Sequence, residues 1–270
     1  MSQITERSRL SQCIANSKIF IQYNNRRIEY FRDYLPPAKR DVFDLLPLFF
    51  HEDCPLFPGG DPLIGAPSGI SNYSPASATR ECAARCFRGF APPRRAKRNF
   101  PILFMAIMGS SGSIAFTEDS DMDIWIGLQS QEEHSEESYS LKEKAAAIEQ
   151  WAQDTADLEV HFFVAPVSTI RNDNYGELDS ESCGSALGKL LKEEFYRTAL
   201  FIAGKVPLYW AMPVSINSRS YDSHRAGLFA FPAFPGHDFI DLGPVGRVSQ
   251  EEYLSATLWQ LLKALRSPFK

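Results

Sequence analysis

The stretch Met108-Gly109-Ser110-Ser111-Gly112-Ser113-Ile114-Ala115-Phe116-Thr117-Glu118-Asp119-Ser120-Asp121-Met122-Asp123-Ile124-Trp125-Ile126 decides how the chain is read. An apolar run from Pro101 to Met108 stops at Gly-Ser, a small polar loop follows, and Asp121 and Asp123 then enter a second apolar run. Both apolar runs have the length and composition of buried strands. Strand side chains alternate faces, so Asp121, Asp123 and Trp125 share one face and Met122, Ile124 and Ile126 the other. Two carboxylates side by side repel unless a cation sits between them. Hard oxygen ligands beside a backbone-rich Gly-Ser turn suit a magnesium–triphosphate site. A calcium loop starting at Asp119 is excluded, because Ile124 stands where that loop needs glycine and Ser130 where it needs glutamate.

The third element of the pattern lies downstream. Leu158 to Val164 reads as a strand with Glu159, His161 and Phe163 on one face, so Glu159 offers a third carboxylate. The Gly109 and Ser110 amides and the Ser110 and Ser113 hydroxyls are candidate phosphate donors. Trp125 is a candidate to stack on a base or to wall off the site. His161 reads as a hydrogen-bonded neighbour. Lys205 is a candidate phosphate contact, although a lysine just past a helix end also complements the helix dipole.

Around this centre the chain has 270 residues, 44% of them hydrophobic and 23% charged, an ordinary globular balance. A net charge of −5 argues against nucleic acid as a partner. The N-terminus carries no signal-peptide pattern, and no apolar stretch has the length of a membrane span, so a cytoplasmic protein is expected. Cys13, Cys54, Cys82, Cys86 and Cys183 are irregularly spaced and read as reduced thiols; the Cys82/Cys86 pair lacks a second pair to complete a zinc set.

Helical spacing predicts helices over 4–34, 38–50 (with a kink or break at Pro47) and 79–90. The Pro- and Gly-rich segment 51–77 reads as a long loop pinned to a surface. A compact basic run, Arg94 to Arg98, leads into the first strand. Ser140-Leu141-Lys142-Glu143 has the form of a capping box and predicts a helix with Leu141, Ala145, Ile148, Trp151 and Ala152 on its buried side. A further helix is expected from Gly184 or Ser185 to about Ala203, capped by Gly204, followed by an edge strand over 206–212. Ser249-Gln250-Glu251-Glu252 opens a last helix that ends before Pro268.

A strand, Gly-Ser, ten residues, Asp-Met-Asp on a strand and a carboxylate on a later strand resemble the nucleotidyltransferase superfamily, typified by DNA polymerase beta. The resemblance implies an α+β fold, a nucleotidyltransferase-type mixed β-sheet flanked by helices, with helical N- and C-terminal additions. It implies a core over 93–214, an N-terminal helical and loop region over 1–92 and a C-terminal helical extension over 215–270. It also implies two Mg2+ ions, with Mn2+ as a substitute, held by Asp121, Asp123 and Glu159.

More of the chain resembles the N-terminal catalytic region of class I adenylate cyclases of the enterobacterial type. The segments are Tyr34-Leu35-Pro36-Pro37, Leu45-Leu46-Pro47-Leu48, Met108-Gly109-Ser110, Ser120 to Trp125, Glu149-Gln150-Trp151-Ala152, Glu159 to Phe163 and Cys183-Gly184-Ser185. Glu194 to Ala199, Ala203-Gly204-Lys205, Asp241-Leu242-Gly243 and Glu251 to Lys270 continue it. The Arg94 to Arg98 run and Phe229 to Pro235 depart from it. The resemblance implies conversion of ATP to 3′,5′-cyclic AMP and pyrophosphate by two-metal-ion intramolecular nucleotidyl transfer. It implies a following regulatory region, linked to the sugar phosphotransferase system, that is expected to be missing here. The motif alone leaves two other readings open: nucleotidyl transfer to a protein, RNA or small hydroxyl acceptor, and a nucleotide-binding module without catalysis.

Overall fold

The computed structural model describes residues 3–61, 64–92, 98–113, 115–117, 120–129, 135–173, 188–248 and 250–265. Arg94 to Lys97 of the basic run, Cys183, the expected helix start at Gly184 or Ser185, Leu187, Ser249 and Ser267 to Lys270 lie outside the described residues. The chain forms two compact units: one of residues 28–167 and 198–204, the other of residues 1–27, 168–197 and 205–270. Helix, strand and sheet combine in an α+β fold, as the sequence pattern implies.

The first unit is built on a four-stranded sheet of β1 (Ile102–Met108), β2 (Met122–Leu128), β3 (Val160–Pro166) and β4 (Leu200–Gly204), in the order β3-β2-β1-β4. β1 runs antiparallel to β2 and β4, and β2 runs parallel to β3. The parallel pair needs a crossover, which α4 (Glu136–Ala156) supplies. One sheet face, with Met105, Ile107, Ile124, Ile126, Val160 and Val164, joins a core with residues of α2 (Pro37–His51) and α4. Leu45, Leu46, Phe49 and Phe50 come from α2, and Leu141, Ala145, Ile148 and Ala152 from α4. Each such side chain stabilises by about 1.5–3 kcal/mol when fully buried.

That burial explains why α2 continues unbroken through Pro47, where a kink or break was expected. The residues flanking Pro47 are fully buried, and their combined packing exceeds the roughly 3 kcal/mol that an internal proline costs. The long loop is pinned, as expected. Ile70 N donates to His51 Nδ1 at 3.1 Å, and Gly69 and Ser71 exchange backbone hydrogen bonds with Ile102 at the start of β1. α3 (Ser77–Cys86) is shorter than its periodicity suggests. α4 begins a turn earlier than the Ser140 box predicts, because Ser135 is the N-cap and its Oγ accepts from Ser138 N at 3.2 Å. Ser140 sits inside the helix, where its Oγ donates to the Glu137 carbonyl.

The fourth strand differs most from expectation. The helix expected to reach Ala203 stops at Thr198, and Leu200 to Gly204 form β4 instead. Gly204 does not cap a helix: at φ +109° it ends a strand, and a Cβ there would lie 2.4 Å from Phe104 Cα. The expected edge strand over 206–212 reduces to β5 (Val206–Pro207), followed by a helical turn, α7 (Leu208–Ala211). Leu200-Phe201-Ile202-Ala203 is a short apolar run of the kind whose periodicity does not separate buried strand from buried helix.

The second unit contains α5 (Val167–Arg171; divided from the first unit after Val167), α6 (Gly188–Thr198), α7, α8 (Ser218–Phe229) and α9 (Gln250–Ala264), with β5 paired parallel to β6 (Phe239–Ile240). The first 25 described residues of α1 (Gln3–Tyr34) belong to it. Its core joins Cys13, Leu208, Ala211, Tyr221, Leu228 and Phe239. Asp241 is the polar hub. It accepts from Tyr221 Oη at 2.6 Å, Arg171 Nε at 2.9 Å and Gly243 N at 3.0 Å. Burial opposes ionisation of Asp241, but those hydrogen bonds and the Arg171 charge hold its carboxyl below the usual range.

Phe104 lies flat against Gly127 on the neighbouring strand, and a Cβ at Gly127 would meet its ring at 2.1 Å. Gly127→Ala is therefore expected to lower unfolding free energy by about 1–3 kcal/mol in a urea titration. Gly227→Ala in α8, where a Cβ meets nothing within 4 Å, is expected to be neutral or stabilising by roughly 0.5–1 kcal/mol.

Candidate active site

The second sheet face carries the candidate residues. Register places Met108 opposite Asp123 and Ala106 opposite Trp125, while across the parallel pair Asp123 is opposite His161 and Trp125 opposite Phe163. Cross-strand partners share a face, so Asp123, Trp125 and His161 come together as strand alternation requires. Just before the two parallel strands, Met122 N donates to the Glu159 carbonyl at 3.0 Å. That bond brings the chain at Asp121 alongside the chain at Glu159. Asp121 and Asp123 are half-buried, and Glu159 is exposed.

β1 ends where the Gly-Ser motif begins. Gly109 has φ +86°, a left-handed conformation that glycine adopts without strain, and it opens the 3-10 turn Gly109–Gly112. A Cβ at Gly109 would lie 3.9 Å from Asp123 Oδ2, so the turn and the carboxylate are close neighbours. Gly109 N donates to Thr198 Oγ1 at 3.2 Å. Ser113 folds the loop back: its Oγ donates to the Ser110 carbonyl at 3.0 Å and accepts from Ala115 N at 3.2 Å. Ser120 Oγ accepts from Thr117 N at 3.0 Å and holds the approach to Asp121. Ser111 is 3% exposed, and its Oγ has no hydrogen bond among the described residues.

Trp125 is 3% exposed and forms part of the floor of this face. Lys205 follows β4 directly and belongs to the second unit. One contributor was not assigned from sequence. Thr198, the last residue of α6, holds the Gly109 amide, and nothing in its spacing signals that. His161 was expected to be a hydrogen-bonded neighbour, and its Nε2 lies 3.0 Å from Glu159 Oε1. Burial alone would lower the His161 pKa. The hydrogen bond to Glu159 and the charges of Asp123, Glu159 and Glu149 outweigh burial and raise it.

Asp121, Asp123 and Glu159 lie on neighbouring strand ends, beside the Gly109 turn and His161. The donor set is all-oxygen, as magnesium prefers. In donor type the residues suit magnesium; among the described residues their three carboxylates do not all approach within 4.8 Å of one another.

In metal-free buffer the His161 ring is expected to titrate by NMR above the ordinary histidine pKa, and Glu159→Gln to move the midpoint down. The pair's contribution to stability is complete below the ordinary pKa and is lost as pH rises through the raised one. A midpoint unchanged by Glu159→Gln would contradict the pairing.

The family model described as adenylate cyclase NT domain matches residues 13–210. An adenylate cyclase of Salmonella typhimurium (strain LT2) is 36% identical over 250 residues, which cover 92% of this chain and 29% of that protein. The adenylate cyclase of Escherichia coli (strain K12) matches to the same extent, and that of Yersinia pestis is 34% identical over the same shares. The chain thus spans about 29% of the length of these curated relatives. No solved structure matches it. Among the described residues, no helix is long and apolar enough to cross a membrane. By the family match and the relatives together, the chain belongs to the adenylate cyclase N-terminal domain family.

Proposed function

We propose that the chain activates ATP for intramolecular nucleotidyl transfer, giving 3′,5′-cyclic AMP and pyrophosphate, and that it works in the cytoplasm. The observation that carries the reading is the Met122–Glu159 backbone bond, which sets Asp121 and Asp123 beside Glu159 at the rim of the Gly109 turn. The relatives named adenylate cyclase support cyclisation over transfer to a separate acceptor.

In this reading Asp121, Asp123 and Glu159 hold two magnesium ions. Bound there, the ions would neutralise charge on the attacking and leaving oxygens of a phosphoryl transfer. The chain's own residues do the positioning. Ser110 and Ser113 and the backbone of the turn bind the triphosphate, with Thr198 fixing the Gly109 peptide. Trp125 walls the site and excludes water. Glu159 accepts the proton of the ribose 3′-hydroxyl, and His161 orients that carboxylate. The O3′–Pα bond forms as the bond from Pα to the bridging oxygen breaks, and pyrophosphate leaves with that oxygen.

Product analysis from ATP and magnesium tests this. Cyclic AMP and pyrophosphate are expected in equal amounts. Asp121→Asn, Asp123→Asn and Glu159→Gln are each expected to lower the rate roughly 10²–10³-fold or more, with retained thermal unfolding midpoints. Label from α-phosphate-labelled ATP appearing on a protein, RNA or small hydroxyl acceptor would replace cyclisation with intermolecular transfer. Full activity in Asp123→Asn would remove the site.

A further inference from the structure

Cys82 and Cys86 stand four residues apart on α3 and so share a face of that helix. In sequence they lack partners. In the fold, α2 brings Asp41 to them: one sulfur from each cysteine and one carboxylate oxygen of Asp41 all lie within 4.8 Å of one another. Cys82 is buried, Asp41 half-buried and Cys86 exposed. Arg85, between the cysteines, donates from Nη2 to Asp41 Oδ2 at 2.7 Å and to Cys82 Sγ at 3.3 Å.

We propose that Asp41, Cys82 and Cys86 form a binding site for a thiophilic divalent cation of the zinc class, separate from the carboxylate site. Two thiolates select zinc or cobalt over magnesium and calcium. Three protein ligands leave the fourth tetrahedral position to water, and the exposed Cys86 edge provides the way in. Bond lengths of about 2.0–2.3 Å imply that ligand atoms in a tetrahedral site stand roughly 3.5–3.8 Å apart. Starting from separations within 4.8 Å, the trio needs to close by no more than about 1.3 Å. Cys86, exposed and the last residue of α3, can supply that movement.

The charges also balance. Binding expels two thiol protons to solvent, leaving two thiolates and one carboxylate at −3. The ion contributes +2 and Arg85 +1, so the closed cluster is neutral. Arg85 donates to Asp41 Oδ2, and its charge opposes, without outweighing, the burial and the neighbouring Cys86 and Asp41 that push the Cys82 thiol up to about 12, so the ion must displace a tightly held proton. Outer donors of this kind fix ligand orientation and typically carry 10–100-fold of metal affinity.

The test is a cobalt titration of chelator-treated protein. One equivalent of Co2+ is expected to give sulfur-to-cobalt charge-transfer absorption, and Zn2+ to displace it. Cys86→Ser is expected to abolish the band without shifting the metal-free thermal midpoint, since Cys86 is exposed. Arg85→Ala is expected to weaken binding roughly 10–100-fold, and Cys54→Ser to leave it unchanged. Absence of the band at one equivalent, its survival in Cys86→Ser or its loss in Cys54→Ser would overturn the site. Any of these would leave Arg85–Asp41 as a surface ion pair beside two incidental thiols.

Discussion

The parallel register of β2 on β3 is the constraint on which the candidate site depends. It is set at its lower end by Met122 N donating to the Glu159 carbonyl. Side chains alternate every residue, so a slip of one position would exchange the two faces of β3. Glu159, His161 and Phe163 would then point into the core, and Val160, Phe162 and Val164 would leave it. The apolar face therefore fixes the polar one. Ile124 and Ile126 pack in a single core with Val160 and Val164, and that packing holds His161 opposite Asp123. β1 adds the third coordinate by placing Met108 opposite Asp123, so the glycine turn starts beside the carboxylates.

This arrangement stores electrostatic cost at one rim. Asp121, Asp123 and Glu159 are carboxylates on neighbouring stretches of chain at the ends of β2 and β3. Like charges at that spacing raise one another's free energy. His161 offsets part of it, since its imidazolium form is favoured by the same carboxylates. The glycine turn meets a separate requirement. Gly109 in a left-handed conformation turns the chain within one residue, and Thr198, at the end of α6, locks that peptide.

Much of this was legible in the sequence because it rests on short-range pattern. Alternation placed Asp123 and Trp125 on one face, and Asp-Met-Asp at the start of an apolar run marked the rim of a strand. α2 and α4 followed from their apolar stripes; the helix runs on past Pro47 without the break that was one of two expectations there, and Ser140 suggested a wrong start. What the sequence concealed depends on tertiary partners. Leu200 to Gly204 reads as the end of a helix until β1 offers it a ladder. Gly204 reads as a cap until Phe104 is seen packed against it. Thr198 carries no signal of its own, because its partner, the Gly109 amide, is 89 residues away. Asp41 is equally silent beside Cys82 and Cys86 until α2 lies on α3.

The account makes a single rim of sheet the place where metal and nucleotide meet. Crystals grown with manganese and a non-hydrolysable ATP analogue test that most directly. Anomalous scattering from manganese is expected among Asp121, Asp123 and Glu159, with the triphosphate lying along Gly109 to Ser113. Manganese and nucleotide bound elsewhere, with the three carboxylates unengaged, would contradict it.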